Sequence, residues 1–346
     1  MAPDRHSAEA VVSLGPVRVP PDGIDDRQLS RALEEHWGLA PARLGYLPVG
    51  FGDHHWELTD SAGRRWFVTV AGLTGPGRGT GPAAGYADLR AAMDTVIALA
   101  GAGLEFAVAP VPTTDGRALA PLGAEHAITV FPYLDATCRD FAPQMPERDR
   151  LAVIDMLARL HSATPLARRT APVRRLDLAT RPVLEAALGE LSQPWNGGPY
   201  AEPARRLLAR QASRLARALA RFDELVREAA GSGPAVITHG EPHPGNMVRA
   251  AGKLRLIDWD TAGLALPERD LWSVADADSR EAERYAELTG RRASTAAMSM
   301  YRMRWSLDEI ALSLRDFSGP HEQNEDTELT WAVLTEETEN ILRLVP

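Results

Sequence analysis

The chain has 346 residues, 45% of them hydrophobic, with a formal net charge of −9. That suffices for one large domain or two modest ones around a buried core, and the acidic balance argues against a nucleic-acid binder, which would carry a basic stripe. A single cysteine, Cys138, excludes an internal disulfide and a Cys/His zinc spacing, and no apolar run approaches the roughly 18 residues of a membrane span.

In chain order, residues 1–25 are rich in Pro and Asp and read as a poorly ordered arm or an edge strand, too charged for a signal peptide. A reducing cytoplasm is therefore the expected compartment. Residues 26–38 predict a helix, with Leu29, Leu33 and Trp37 on one face and Gly38 as its stop. Strands follow around a turn at 60–63, and in the last of them Trp66, Val68 and Val70 share one face while Phe67 and Thr69 share the other. A Gly- and Pro-dense loop at 72–85 leads to a helix over 84–100, striped by Leu89, Met93, Val96 and Ile97. Two more strands are predicted near 105–111 and 126–131, and residues 131–137 read as a linker.

Beyond the linker the pattern is helical at 147–163 and 201–230, the second helix stopping at the run GSGP. A short strand, a loop and a strand pair then interrupt the helices over 235–260, and the last quarter is helical again. Sheet first and helices second predicts a two-lobed α+β architecture, with an N-terminal lobe over 1–131 and a mainly helical lobe over 132–346.

The chemistry concentrates in the run VITHGEPHPGN at 236–246 and the run LIDWD at 256–260. A strand delivers Glu241 onto a loop; Asn246 lies five residues on, and Asp258 twelve further at the end of another strand. Phosphoryl transfer needs such a set: a carboxylate to take the proton of an acceptor hydroxyl, and an amide and a carboxylate to hold Mg2+ against a triphosphate. Each residue alone has a plainer reading as a turn or cap residue; the combination between apolar strands carries the signal.

This pattern resembles the Brenner motif of the aminoglycoside-phosphotransferase and choline-kinase superfamily: His-Gly-Asp, four variable residues, Asn, then a strand ending Ile-Asp. The likeness extends to the glycine hairpin at 50–55, the linker, the run PERDL at 267–271 and His161 near a helix end. It implies a bilobal protein-kinase-like fold and transfer of the γ-phosphate of ATP or GTP, with Mg2+, to a hydroxyl of an antibiotic-like molecule or metabolite, hence a link to antibiotic resistance. By the same resemblance Asn246 and Asp258 are metal ligands, Asp260 adds a further contact, His239 braces the loop and Asp270 supports it. Gly50 and Gly52 with His55 would cover the nucleotide, and the Phe131 carbonyl and Tyr133 N–H would read its base. His243 faces the triphosphate or acceptor, or is structural.

The chain departs from the pattern in three places. Glu241 stands where the usual residue is Asp, reaching one methylene further. Thr69 stands where a Lys would contact phosphates. No Glu to pair with that Lys is evident in the helix at 84–100, whose only acids are Asp88 and Asp94. The loop at 72–81 with Arg78 is one candidate for the missing phosphate grip, a mobile loop being the plainer reading, and His54 and His55 read most simply as exposed loop residues. Acids from Glu322 to Glu339, with no Lys or Arg among them, would draw in a cationic acceptor or form a solvated face. Trp195, Tyr200, Trp272, Trp305 and Trp331 are candidate pocket walls. The expected protein is a monomer or homodimer without nucleic-acid or membrane partners. The alternative is a catalytically weak kinase-like protein that binds a nucleotide or another ligand; a protein kinase fits less well, since neither His-Arg-Asp nor Asp-Phe-Gly is present.

Overall fold

Asp25 opens the first helix of the computed structural model by accepting the Arg27 N–H at 3.1 Å, and Gly38 closes it at φ 65°. The structure describes residues 19–345 apart from 22, 51, 75–80 and 139–144. Residues 1–18 of the arm predicted over 1–25, and Arg78, therefore lie outside the described residues.

Helix α1 (Asp26–Trp37) is followed by β1 (Pro41–Leu47), β2 (His54–Asp60), β3 (Arg65–Gly72), α2 (Pro82–Gly101), β4 (Ala120–Leu122) and β5 (His126–Pro132). The strands form a five-stranded antiparallel sheet in the order β1-β2-β3-β5-β4. The predicted turn between β2 and β3 is built by Asp60, whose Oδ1 accepts the N–H groups of Ala62 and Arg64, both at 2.9 Å. Val68 and Val70 pack with Leu29, Leu33, Trp37, Trp56 and Leu58 in a core between the sheet and α1. The opposite face, which carries Phe67 and Thr69, turns away from that core, as strand alternation requires.

The remaining elements are β6 (Ala136–Cys138), α3 (Glu147–Ser162), α4 (Thr164–Ala167), α5 (Arg181–Gly189), α6 (Ala201–Ala229), β7 (Val236–Thr238), β8 (Met247–Ala250), β9 (Lys253–Leu256), β10 (Gly263–Ala265), α7 (Glu268–Leu271), α8 (Arg280–Thr289), α9 (Thr295–Ser318) and α10 (Glu325–Leu344). Helices α5, α6, α9 and α10 enclose one apolar core. A second core joins α2 to α3 and to the strands that bear the candidate site, through Leu89, Met93, Ile154, Leu157, Ile237 and Trp259. An antiparallel sheet followed by a mainly helical half is the kinase-like α+β fold expected of the sequence.

Two expectations needed revision. No strand forms over 105–111: Pro110 and Pro112 offer no ladder donors, and Ala107 makes only an isolated bridge to Leu256. The sheet edge is instead β4, whose three residues are too few for a periodic signal. The linker is also shorter than predicted, because β5 runs to Pro132 and β6 pairs with β8.

Candidate active site

Strand β7 is only three residues long, yet it fixes the loop that follows. Thr238 and His239 are fully buried. His239 donates from Nε2 to the Ile257 carbonyl at 2.8 Å and accepts the Glu241 N–H at Nδ1 at 3.2 Å, which settles its neutral tautomer. Burial lowers its pKa to about 4, overriding the opposite pull of Asp270.

Asp270, on α7, anchors the same turn. Its Oδ2 accepts the His239 N–H at 2.9 Å and its Oδ1 the Gly240 N–H at 2.7 Å. His161 Nε2 donates to Oδ2 at 3.1 Å, and the Tyr285 hydroxyl donates to His161 Nδ1 at 2.8 Å. Burial works to raise the Asp270 carboxyl, but the His161 bond and the fields of His161, His239 and Arg269 hold it below the ordinary carboxylate range. Gly240 takes φ 110°, and its bare α-carbon lies against the Arg269 guanidinium, where a side chain would collide.

The Pro244–Asn246 turn is 3-10 helical, and Asn246 is 7% exposed. The carbonyl of Glu241 can only accept, so the Asn246 nitrogen must face it, at 3.0 Å. The same nitrogen meets His243 Nε2 at 3.1 Å, so that ring atom accepts; burial lowers the His243 pKa to about 3. The Asn246 Oδ1 is thereby turned away from the Glu241 carbonyl and the His243 ring. The Asn246 carbonyl accepts the Ile257 N–H at 3.0 Å, which sets Asp258 one residue beyond Asn246 across the hairpin. Asp258 is exposed and takes φ 65°, a left-handed conformation that is costly without glycine. An amide oxygen and carboxylates are hard donors of the kind Mg2+ takes, so these residues fit that ion. Among the described residues no cluster of three or more His, Cys, Asp or Glu forms a metal cage.

Glu241 borders two cavities, one of about 540 Å3 and one of about 320 Å3. Gly240, Trp272 and Trp305 are common to both, and the two indole rings lie 5.8 Å apart at 44°. The larger cavity adds His243, Arg150, Asp276, Glu281 and Arg302. The smaller adds Asp260, Arg174, Arg304, Asp308 and Tyr301, whose hydroxyl is buried with no hydrogen-bond partner among the described residues. Partly buried Glu309, on α9 beyond Trp305, is pushed up to about 8, first by burial and then by Glu241, Glu337, Asp308 and Asp316.

On the sheet side, His55 and Thr69 are register partners, with Nδ1 and Oγ1 3.1 Å apart. The His55 ring lies 4.8 Å from Phe67, and Gly50 folds over its Nε2 so closely that a Cβ there would sit 2.8 Å away. His55 is thus a strand residue packed under the glycine turn, not an exposed loop residue. Burial lowers its pKa to about 4. Gly50 and Gly52 both take positive φ, 82° and 94°. Phe131 lies opposite Phe67. The Tyr133 N–H, expected to be open to a base, runs at 3.4 Å to the Arg65 carbonyl, and the Arg65 guanidinium stacks on the Tyr133 ring at 3.6 Å.

Of the five candidate wall aromatics, Trp272 and Trp305 reach the cavities. Tyr200 and Trp331 stack on each other at 5.7 Å, and Trp195 joins the helical core. In the acidic tail, Glu322, Glu325, Glu328 and Glu339 are exposed, while Glu337 accepts from Ser306 at 2.6 Å. Arg174, Tyr301 and Glu309 went unnoticed in the sequence: each lies in an ordinary helical or loop run, and only the fold brings it to the site.

A model of the phosphotransferase enzyme family (APH) matches residues 45–305. Protein StrN of Streptomyces griseus is 30% identical over 258 residues, which cover 70% of this chain and 75% of that one. Among solved structures, spectinomycin phosphotransferase APH(9)-Ia in complex with ADP and spectinomycin superposes with a TM-score of 0.71 at 14% identity, over 93% of this chain and 99% of that one. Amicoumacin kinase hAmiN gives a TM-score of 0.58 at 14% identity, over 93% and 96% of the chains. The choline kinase LicA of Streptococcus pneumoniae gives 0.53 at 14% identity, over 91% and 99%. These likenesses are in the fold.

Proposed function

The chain belongs to the phosphotransferase enzyme family, and from that premise we propose that it moves the γ-phosphate of ATP or GTP to a hydroxyl of a small antibiotic-like molecule or metabolite. The carrying observation is the position of Glu241. It sits on a loop pinned by Asp270 and His239, it borders both cavities, and its carbonyl holds the side chain of Asn246.

In this reading the acceptor lies in the cavities against Trp272 and Trp305, with its reacting hydroxyl at the Glu241 carboxylate. Glu241 takes the hydroxyl proton as the oxygen attacks the γ-phosphorus and the bond to the departing diphosphate breaks. Asn246 and Asp258 would hold Mg2+, with Asp260 beside them, and the bound ion would neutralise charge on the phosphate oxygens. His239, held neutral, keeps the loop's direction and does not exchange protons near pH 7. His243, also neutral, fixes the Asn246 nitrogen so that Oδ1 faces outward. Gly50, Gly52, His55, Thr69, Phe131 and Tyr133, on and beside the sheet, would line the nucleotide side, with the division into lobes at the linker near 131.

One observation favours the weaker alternative, a kinase-like protein that only binds a nucleotide or ligand: the Thr69 hydroxyl is paired with a neutral imidazole, so that position presents no cation. The two readings separate in one experiment. Thermal melting with ATP or GTP, with and without Mg2+, is followed by nucleotide consumption against a panel of hydroxylated antibiotics and metabolites. The proposal expects Mg2+-dependent stabilisation and turnover that Glu241→Ala lowers by about 100-fold or more, while nucleotide stabilisation persists. Melting indifferent to nucleotide overturns it; nucleotide binding without turnover selects the alternative.

A further inference from the structure

Resting on the phosphotransfer reading above, we infer that Arg174 and Asp88 form a latch by which helix α2 positions the metal-side segment 258–263. Both side chains line the smaller cavity, but Arg174 holds this segment through its backbone carbonyls and Asp88 acts through Arg174, so both are positioning residues.

Arg174 lies between α4 and α5, far in sequence from the catalytic loop. Its segment is added to β10 as a short parallel pairing: Arg174 N donates to the Leu264 carbonyl at 2.9 Å, Leu264 N donates to the Pro172 carbonyl at 2.7 Å, and Val173 bridges Leu264. The side chain then does two things at once. Nη1 donates to both oxygens of Asp88 on α2, at 2.9 and 2.7 Å. Nε reaches the carbonyls of Thr261 at 3.1 Å and Ala262 at 3.2 Å, and Nη2 those of Ala262 at 2.9 Å and Asp260 at 3.4 Å.

Three consecutive carbonyls converging on one guanidinium need a specific backbone path. Gly263 makes room for it, since a Cβ there would lie 2.7 Å from Arg174 Cγ and 2.7 Å from the Pro172 carbonyl oxygen. That path begins immediately after Asp258, whose φ of 65° is a conformation that persists only where its surroundings impose it. The segment is also tied to the catalytic loop: Thr261 Oγ1 donates to the His239 carbonyl at 3.0 Å, and Thr238 Oγ1 to the Gly263 carbonyl at 2.9 Å. Asp88 is the charge that orients the guanidinium. With side chains 15% and 29% exposed, the pair is shielded from water more than an ordinary surface pair.

The test uses the full chain with Asp88→Asn and Arg174→Lys, singly and together, and Asp94→Asn as control. Among the described residues the control's carboxylate is ion-paired only with Arg90, at 3.9 Å, and it is 43% exposed. Two readouts separate the latch from the activity. The first is amide hydrogen exchange of residues 258–264 in ligand-free protein, which should quicken in both single variants and not in the control. The second is equilibrium affinity for Mg2+–ATP without acceptor, which should weaken by about tenfold, a scale usual for residues that orient metal ligands. The double variant should be no worse than the worse single one, because the two side chains act as a unit. Unchanged exchange in Arg174→Lys, the gentler substitution, overturns the latch. Faster exchange with unchanged Mg2+–ATP affinity overturns its link to the metal side. A parent protein that binds neither Mg2+–ATP nor Mg2+–GTP overturns the phosphotransfer reading, while the exchange readout still judges the latch.

Discussion

Asp270→Asn should cost far more stability than its near-identical shape suggests. In the parent, one carboxylate accepts three hydrogen bonds, from His239 N, Gly240 N and His161 Nε2, and is wholly buried. An asparagine keeps a single accepting oxygen. Its best placement leaves that oxygen where Oδ2 was, serving two donors, and turns the NH2 toward the Gly240 N–H, donor against donor. The change removes one charge-assisted bond, worth about 1.5–3 kcal/mol, and leaves a buried N–H unsatisfied, at about 1–3 kcal/mol. It also weakens the two remaining bonds by removing the charge. A loss of about 3–5 kcal/mol is expected, in the range for breaking a buried charged pair. Urea titration followed by tryptophan fluorescence measures it directly, with the slope checked for an unchanged transition. Because the residue orients the turn before Glu241, turnover should fall together with stability, even at temperatures where the variant remains folded. A loss under about 1 kcal/mol would refute the view that Asp270 is the anchor of this loop.

Two further substitutions probe the same neighbourhood. Glu309, with its carboxyl raised to about 8, holds its proton in the folded state at pH values where the unfolded chain has lost it. Stability should therefore decline as pH rises from about 4.5 to about 8, by no more than about 1.4 kcal/mol per pH unit. Glu309→Gln should flatten that slope and melt higher than the parent at pH 9; parallel melting curves across this range would refute the assignment. Gly240→Ala combines a left-handed backbone, at φ 110°, with a collision against the half-buried Arg269, and should cost about 2 kcal/mol or more in denaturant titration. A neutral result would mean that the loop can relax.

The sequence was most legible where chemistry and periodicity coincide. The helix starting at Asp26, the strand carrying Thr69 and the loop from His239 to Asn246 could be placed from apolar spacing and turn residues, because each is a local pattern. What escaped was set by pairings between distant segments. β4 and β6 are strands only because β5 and β8 lie beside them. Arg174 matters only because residues 172–174 run along β10 and so face Asp88, 86 positions earlier. Glu309 looks in sequence like one more polar helix position; its environment is made by Glu241 and Glu337 arriving from other elements. His55 was misread for a similar reason, since nothing local reveals that Gly50 folds down upon it.

The cross-strand contact of Thr69 with His55 also bears on how such a protein can be detected. The only lysine in the chain is Lys253, which sits on the β8–β9 hairpin, 64% exposed and ion-paired with Glu105 at 2.9 Å. Nucleotide reagents that mark triphosphate sites by acylating a lysine amine would find none on β3. A survey of cell extracts built on that labelling chemistry would pass over this protein, however well it bound nucleotide, whereas reagents directed at carboxylates would find Glu241 and Asp260 at the walls of the two cavities.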